Sequence, residues 1–557
     1  MSNISRIRFS TGLAFALLII WSCSSGESIA ERTITAEDLV EAIKVLASDE
    51  FEGRGPASRG EELTVEYLAE GFQELGLEPG NGDSYFQEVP MVELTPDPGA
   101  GLVIWGEQST TRLIYRREYV VWTKRVIRQV ALERSDLIFV GYGTVAPEYE
   151  WDDYRGLDVR GKTVVMLVND PGYATKDSSL FNGHAMTYYG RWTYKFEEAA
   201  RQGAGGAIII HETEPAGYPW GVVRSSWTGP QFDLATEDNN LSRCAVEGWF
   251  TEEVARDLFR RSGHDFEDLK QQAASRGFRP LSLNVGISVT VANTIRRSTS
   301  RNVLALLPGR KRADEVLIYT AHWDHLGMDP NLRGDKIYNG ALDNATGTAG
   351  LLELAEAFTE LRKPPERSIL FLAVTAEEQG LLGSAYYATH PIYPLANTVA
   401  VMNMDGMNIY GRMKDVTIIG YGNSELDDYA IRAARKQHRV VRPDPEVEKG
   451  YFYRSDHFSF AKEGVPALYL DSGIDHVIHG EAWTREQTEI YTAERYHKPS
   501  DEYDPEWDLS GAVEDLRLLF MIGTRLSNTS DFPNWSEGNE FRAARDAMMQ
   551  AHQAQAE

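Results

Sequence analysis

Apolar residues recur at helical spacing from Thr35 to Leu46 and again from Arg59 to Leu75, where Gly76 ends the run. Between them, Asp49-Glu50-Phe51-Glu52-Gly53-Arg54-Gly55 follows neither period and predicts a loop. From Tyr85 to Thr123 the pattern is strand-like, with Pro and Gly interruptions. Short runs rich in Val and Ile, at Asp136 to Gly141, Thr163 to Asn169 and Ala207 to His211, read as buried strands. A helix from Tyr194 to Gln202 precedes the third run, and Thr251 to Arg276 reads as one or two polar helices. The region 130–290 is therefore expected to be a mixed α/β module of its own.

From Asn302 the rhythm changes. Strands at Val303 to Leu307, Val316 to Ala321, Ser368 to Val374, Thr398 to Met404 and Ala467 to Leu470 alternate with helices such as Thr348 to Leu361 and Glu425 to Gln437. Strands of continuous apolar residues alternating with helices predict an α/β fold, a mainly parallel mixed sheet sandwiched by helices. Sites in such sheets form at the carboxyl ends of strands. The expected organisation is one main domain in two parts, 33–129 and 291–530, with 130–290 inserted and a polar tail at 531–557.

Composition narrows the chemistry. Among 557 residues, 56 are Lys or Arg and 83 are Asp or Glu, a net charge of −27. That sign repels phosphate backbones and disfavours nucleic acid as a partner. Two cysteines, Cys23 and Cys244, exclude a disulfide framework and any cysteine-based zinc site. A metal site would have to be built from His, Asp and Glu. Arg6 and Arg8 followed by the uncharged run Gly12 to Trp21 read as a signal peptide over 1–22. Ile20-Trp21-Ser22-Cys23 resembles a bacterial lipoprotein box, so the protein is expected to be exported, periplasmic or anchored to the outer membrane through a lipid on Cys23, and otherwise secreted.

Gly156-Leu-Asp-Val-Arg-Gly161-Lys162-Thr163 spells a phosphate loop, but polar and aromatic residues precede it and a β-branched run follows. The required strand–loop–helix order is inverted, so a turn entering a strand is expected instead. The chemistry lies further on. His322 and His325 flank Asp324 directly after a strand. Asp343 sits in Gly340-Ala-Leu-Asp-Asn-Ala-Thr-Gly347. Glu377 and Glu378 follow Ala373-Val-Thr-Ala, Asp405 follows Val401-Met-Asn-Met, and Tyr496-His497-Lys498-Pro499-Ser500-Asp501 comes last. All stand where a strand hands over to a loop or helix and can converge on one sheet edge. Two histidines with several carboxylates suit zinc or a similar cation, and a carboxylate between two cations suits two-metal hydrolysis. Neither an HExxH helix nor a GxSxG elbow is present.

These segments resemble the dizinc exopeptidase family, which includes secreted bacterial leucyl aminopeptidases and glutamate carboxypeptidase II. The resemblance implies the zinc exopeptidase fold with a protease-associated domain inserted at 130–290, peptide substrates, and two zinc ions. His322, Asp343 and Asp405 would hold one ion, and Asp343, Glu378 and His497 the other. Glu377 would be the general base toward a metal-bound water, Asp324 would accept a hydrogen bond from the His322 ring, and Tyr496 would reach the oxyanion. It also implies a cis peptide at Asp343–Asn344. The expected activity is removal of N-terminal residues from peptides. A glutamate-type carboxypeptidase, a glutaminyl cyclase and an inactive peptide-binding relative are the alternatives. No obligate protein partner is expected. His325, His476 and His479 are read as cleft-rim or structural residues, and Ser455-Asp456-His457 receives no role.

Overall fold

The computed structural model describes residues 29–99, 101–106 and 110–556. The expected export segment and Cys23 lie outside the described residues. Helix α1 (Ala36–Leu46) starts where the Thr35 side chain accepts the Asp38 amide, and it buries Leu39, Ala42, Ile43 and Leu46. A 3-10 turn, Asp49–Arg54, stands where a loop was expected. Helix α2 (Arg59–Glu74), capped by Ser58, follows, and then strand β1 (Phe86–Asp97).

The middle region contains β2 (Gln129–Phe139), β3 (Thr163–Leu167), α3 (Trp192–Arg201), β4 (Gly206–His211), β5 (Val246–Thr251), α4 (Glu252–Arg261) and α5 (Phe266–Ala273). β2, β3, β4 and β5 pair in parallel in the order 2-3-4-5. Gly156–Thr163 turns directly into β3 with no helix after it, as the inverted pattern required. The region packs around two cores of its own, one near Phe139, Ile210 and Phe259, the other near Trp122, Met166 and Trp249.

Strand β6 (Leu281–Leu307) is 27 residues long. Its first half pairs antiparallel with β2 and its second half with β1. The expected boundary at 290/291 therefore falls inside a continuous strand, and no linker separates the two regions there. The strand expected at Val303 to Leu307 is only its apolar end, because the preceding residues are polar and half exposed.

The main sheet continues with β7 (Arg312–His322), helix α6 (Thr346–Thr359), β8 (Arg367–Val374), α7 (Leu382–Thr389), β9 (Thr398–Asn403), β10 (Asp415–Ile419), α8 (Leu426–Lys436) and β11 (Ala467–Asp471). Its order is β1-β6-β8-β7-β9-β11-β10. β8, β7, β9 and β11 run parallel, and every residue of β8 and β9 is buried. Burial on both faces explains their unbroken apolar runs. α1, α2, α6 and α9 (Ser510–Asn528) cover one face; Tyr387, Phe458, Phe460 and Trp535 pack on the other. The tail is part of this packing: the Trp535 indole donates to Gly464 O at 2.9 Å, and Arg545 of α10 (Arg542–Ala556) donates to Thr398 O at 2.9 Å.

Candidate metal centre

The parallel strands deliver the chemistry to one edge. β7 ends at His322, β8 hands over to Glu377 and Glu378, and β9 ends two residues before Asp405. Asp343 lies in the turn Ala341–Ala345 that opens α6. Gly340 leads into that turn at φ 56°, and a Cβ there would stand 2.4 Å from Asp343 O and 2.6 Å from the His325 ring, so only glycine fits. The Asp343–Asn344 peptide bond is cis.

His322 Nε2 lies 3.3 Å from Asp343 Oδ1 and 3.3 Å from Asp405 Oδ1. His497 Nε2 lies 3.2 Å from Asp343 Oδ2 and 3.1 Å from Glu378 Oε2. Each oxygen of Asp343 thus faces a different nitrogen–carboxylate pair. Zinc bonds of about 2.0–2.2 Å at tetrahedral angles separate neighbouring ligands by about 3.3–3.5 Å. Both groups come close to that spacing, and their donor set of imidazole nitrogen and carboxylate oxygen suits zinc.

The electrostatics agree. Burial alone would lower the His322 pKa, but Glu377 and Asp405 outweigh it and hold the ring well above its usual range. Burial likewise opposes the charge on His497, and Glu378 and Asp343 raise it to about 10. Against burial, His322 and His497 hold Asp343 well below the carboxylate range. Both rings thus face a carboxylate charge that a bound cation would balance in place of a proton. Glu377 behaves oppositely: burial dominates and raises it well above its usual value, despite His322. Adjacent carboxylates thus separate into a ligand-like Glu378, lowered to about 2, and a proton-seeking Glu377.

Several contacts correct the sequence reading. The closest acceptor for His322 Nδ1 is the Asp324 backbone carbonyl at 3.1 Å, while the Asp324 carboxylate is 3.7 Å away. A carbonyl can only accept, so Nδ1 carries the hydrogen and Nε2 is left facing the cluster. The Asp324 carboxylate instead accepts the Glu377 amide at 3.0 Å, tying the ends of β7 and β8 together. Its pKa is raised to about 8 by burial. His325 is fully buried rather than at a rim, with Nδ1 2.7 Å from Glu378 Oε1. Its ligand atom also falls within 4.8 Å of those of Asp343 and Glu378. His476 and His479 stack on each other beside a tilted Trp483 ring, and the His476 Nδ1 accepts the backbone amides of Ile478 and His479. Tyr496 is 45% exposed, with its ring 3.9 Å from the His497 ring.

Residues given no role also belong here. Ser455 Oγ donates to Asp405 Oδ2 at 2.5 Å and accepts from Asn403 Nδ2 at 2.7 Å. Asn344 donates to Met404 O and accepts the Gly347 and Gly406 amides, which ties the Asp343 turn to the Asp405 turn. Asp456 and His457 are fully buried behind Ser455.

A second cluster joins the inserted region to this edge. Arg191, at the start of α3, is 8% exposed, and its Nε has no hydrogen-bond partner among the described residues. Burial and then Arg454 lower its pKa to about 10. Arg454, immediately before Ser455, donates to Lys449 O at 2.6 Å, and its own Nε is likewise buried without a partner. The fold brings Arg191 near Arg454 from more than two hundred and fifty positions away.

Comparisons with known proteins bear on the same residues. A probable zinc metalloprotease of Pyricularia oryzae is 35% identical over 148 residues, covering 25% of this chain and 27% of that protein. Aminopeptidase NAALADL1 of Mus musculus is 35% identical over 124 residues, covering 21% of this chain and 15% of that protein. The chain thus spans about a quarter or less of the length of these curated relatives. The aminopeptidase from Aneurinibacillus sp. strain AM-1 superposes with a TM-score of 0.51 at 19% identity, covering 91% of this chain and 97% of that one, a likeness of fold. Residues 302–521 match the model of peptidase family M28. Every candidate ligand from His322 to His497 falls inside that stretch, and over it the chain is similar to peptidase family M28.

Proposed function

We propose that this protein is a zinc-dependent aminopeptidase that binds two zinc ions across Asp343. The observation that carries the reading is the division of the Asp343 carboxylate, with Oδ1 toward His322 and Asp405 and Oδ2 toward His497 and Glu378. When bound, such ions polarise a substrate carbonyl and bring the pKa of water toward neutrality. Glu377 would take the proton from that water and return it to the leaving amine. Its backbone is pinned for this by Asp324 on its amide and by the Gly380 and Leu381 amides on its carbonyl. Tyr496, stacked on His497, would donate to the oxygen on which negative charge develops. The surrounding acidic charge favours an incoming α-ammonium group. Region 130–290 would be an inserted protease-associated domain that borders the cleft, held to it by Lys462–Glu197 at 2.8 Å.

A second reading, a glutamate-type carboxypeptidase, is favoured by buried Arg191 and half-buried Arg454, whose Nε atoms both lack a hydrogen-bond partner among the described residues and suit a substrate's free C-terminus. The deciding assay compares one short peptide with its N-acetylated and its C-amidated copies, with and without chelator. Loss of cleavage on N-acetylation supports the aminopeptidase; equal cleavage of the acetylated copy with loss on amidation refutes it in favour of the carboxypeptidase. Chelator-insensitive cleavage would refute both.

A further inference from the structure

The turn that carries Asp343 is gripped on both sides by two buried residues of opposite charge. On one side, Arg54 is fully buried. Its Nη1 donates to Asn339 O at 2.6 Å and Leu46 O at 2.7 Å, its Nη2 to Gly340 O at 2.8 Å, and its Nε to Trp323 O at 2.9 Å. On the other, Asp501 is also fully buried. Its Oδ1 accepts the Leu342 amide and its Oδ2 the Asp343 amide, each at 3.2 Å, and its backbone carbonyl accepts the Ala341 amide at 3.0 Å. Every residue from Asn339 to Asp343 is therefore tied to Arg54 or to Asp501. Tyr491 steadies Asp501 with a hydroxyl 3.2 Å from Oδ2.

Arg54 reaches this position through an unusual backbone. Glu52, Gly53 and Arg54 take φ of 49°, 66° and 50°, three left-handed residues in a row. A Cβ on Gly53 would fall 2.4 Å from Gly327 O and 2.5 Å from Tyr338 O, so glycine alone allows the approach. The guanidinium meets only backbone carbonyls. Its charge is not spent on a carboxylate partner, and it faces the field of Asp501, Asp324, Asp343 and Glu378. Four acceptors in different directions require the planar fork of arginine; an ammonium offers three donors from one atom.

We propose that Arg54 and Asp501 are a positioning pair that presets the two oxygens of Asp343 for a two-cation site, acting on metal affinity without touching substrate. The proposal rests on the two-zinc reading above. Outer partners of metal ligands typically change affinity by about 10–100-fold. In Asp501→Asn, the amide NH2 would confront one of the two backbone amides that the carboxylate accepts, loosening the turn.

The test is zinc titration of metal-stripped Arg54→Lys, Asp501→Asn and wild-type protein against a chromogenic chelator, with thermal melts of the stripped and loaded forms. Support is a stoichiometry near two in wild type, a loss of about 10–100-fold in affinity in either variant, and a smaller zinc-induced rise in Tm. Variants whose stripped and loaded Tm fall in parallel, with zinc affinity within twofold of wild type, would overturn the proposal and leave the two-zinc reading intact. A wild-type protein that takes up no zinc would overturn both. If Arg54→Lys does not fold, Asp501→Asn carries the same criteria.

Discussion

Replacing Glu377 by Gln separates its two conceivable jobs, holding metal and moving a proton. The substitution keeps size and shape, and the backbone that aims the side chain is fixed by contacts that do not involve it. The carboxylates turned toward the histidines are Asp343, Glu378 and Asp405, so the ligand set stays complete. The change removes only the carboxyl whose pKa burial raises, and with it the site that would take up a proton. A general base contributes about 10²–10⁴-fold, which is about 2.7–5.4 kcal/mol of barrier at 1.36 kcal/mol per decade. The expected outcome is a kcat lower by that factor, with KM and zinc content near wild type. The assay is steady-state hydrolysis of an aminoacyl anilide, with metal content measured on the same preparation. A variant retaining more than a tenth of wild-type kcat would refute the role. A variant that lost its zinc would show instead that Glu377 is a ligand.

Three further outcomes are expected. Ser455→Ala removes the 2.5 Å donor to Asp405 and strands the buried Asn403 amide; zinc should bind about 10–100-fold more weakly, with about 1–3 kcal/mol lost in stability, and chelator titration with unchanged affinity would contradict it. Glu353 is buried with only the Thr35 amide on its carboxylate, and burial raises its pKa to about 8. Because the folded value lies above the unfolded one, its contribution is fully present below about pH 4.5 and fades as pH rises through 8, at most about 1.4 kcal/mol per unit. Glu353→Gln should therefore gain stability over wild type at pH 8–9 and none near pH 4, and urea melts showing the same difference at both would refute the assignment. Finally, Cys23→Ser should move the protein from a membrane fraction to a soluble one; identical fractionation of the two forms would defeat the lipid anchor.

The sequence by itself determined the strand–helix alternation and the residues at its hinges. Buried parallel strands must be apolar throughout, and the His and acidic residues that interrupt them at their carboxyl ends stand out for that reason: His322 ends β7, and Glu377 and Asp405 follow β8 and β9 within a few residues. The misleading phosphate loop at Gly156 was legible as a turn by the same logic, because the order of elements around it was wrong. The tertiary structure decided what depends on distant atoms. That His322 bonds the Asp324 carbonyl and not its carboxylate turns on a difference of 0.6 Å, between 3.1 and 3.7 Å. That His325 is buried against Glu378, that Arg191 meets Arg454, and that Arg54 and Asp501 grip one turn from opposite sides all require chain segments separated by tens to hundreds of residues. Periodicity reports which face of an element is buried, not which other element covers it. A lone arginine in a Gly-rich loop therefore carries no sign of the four carbonyls it will meet.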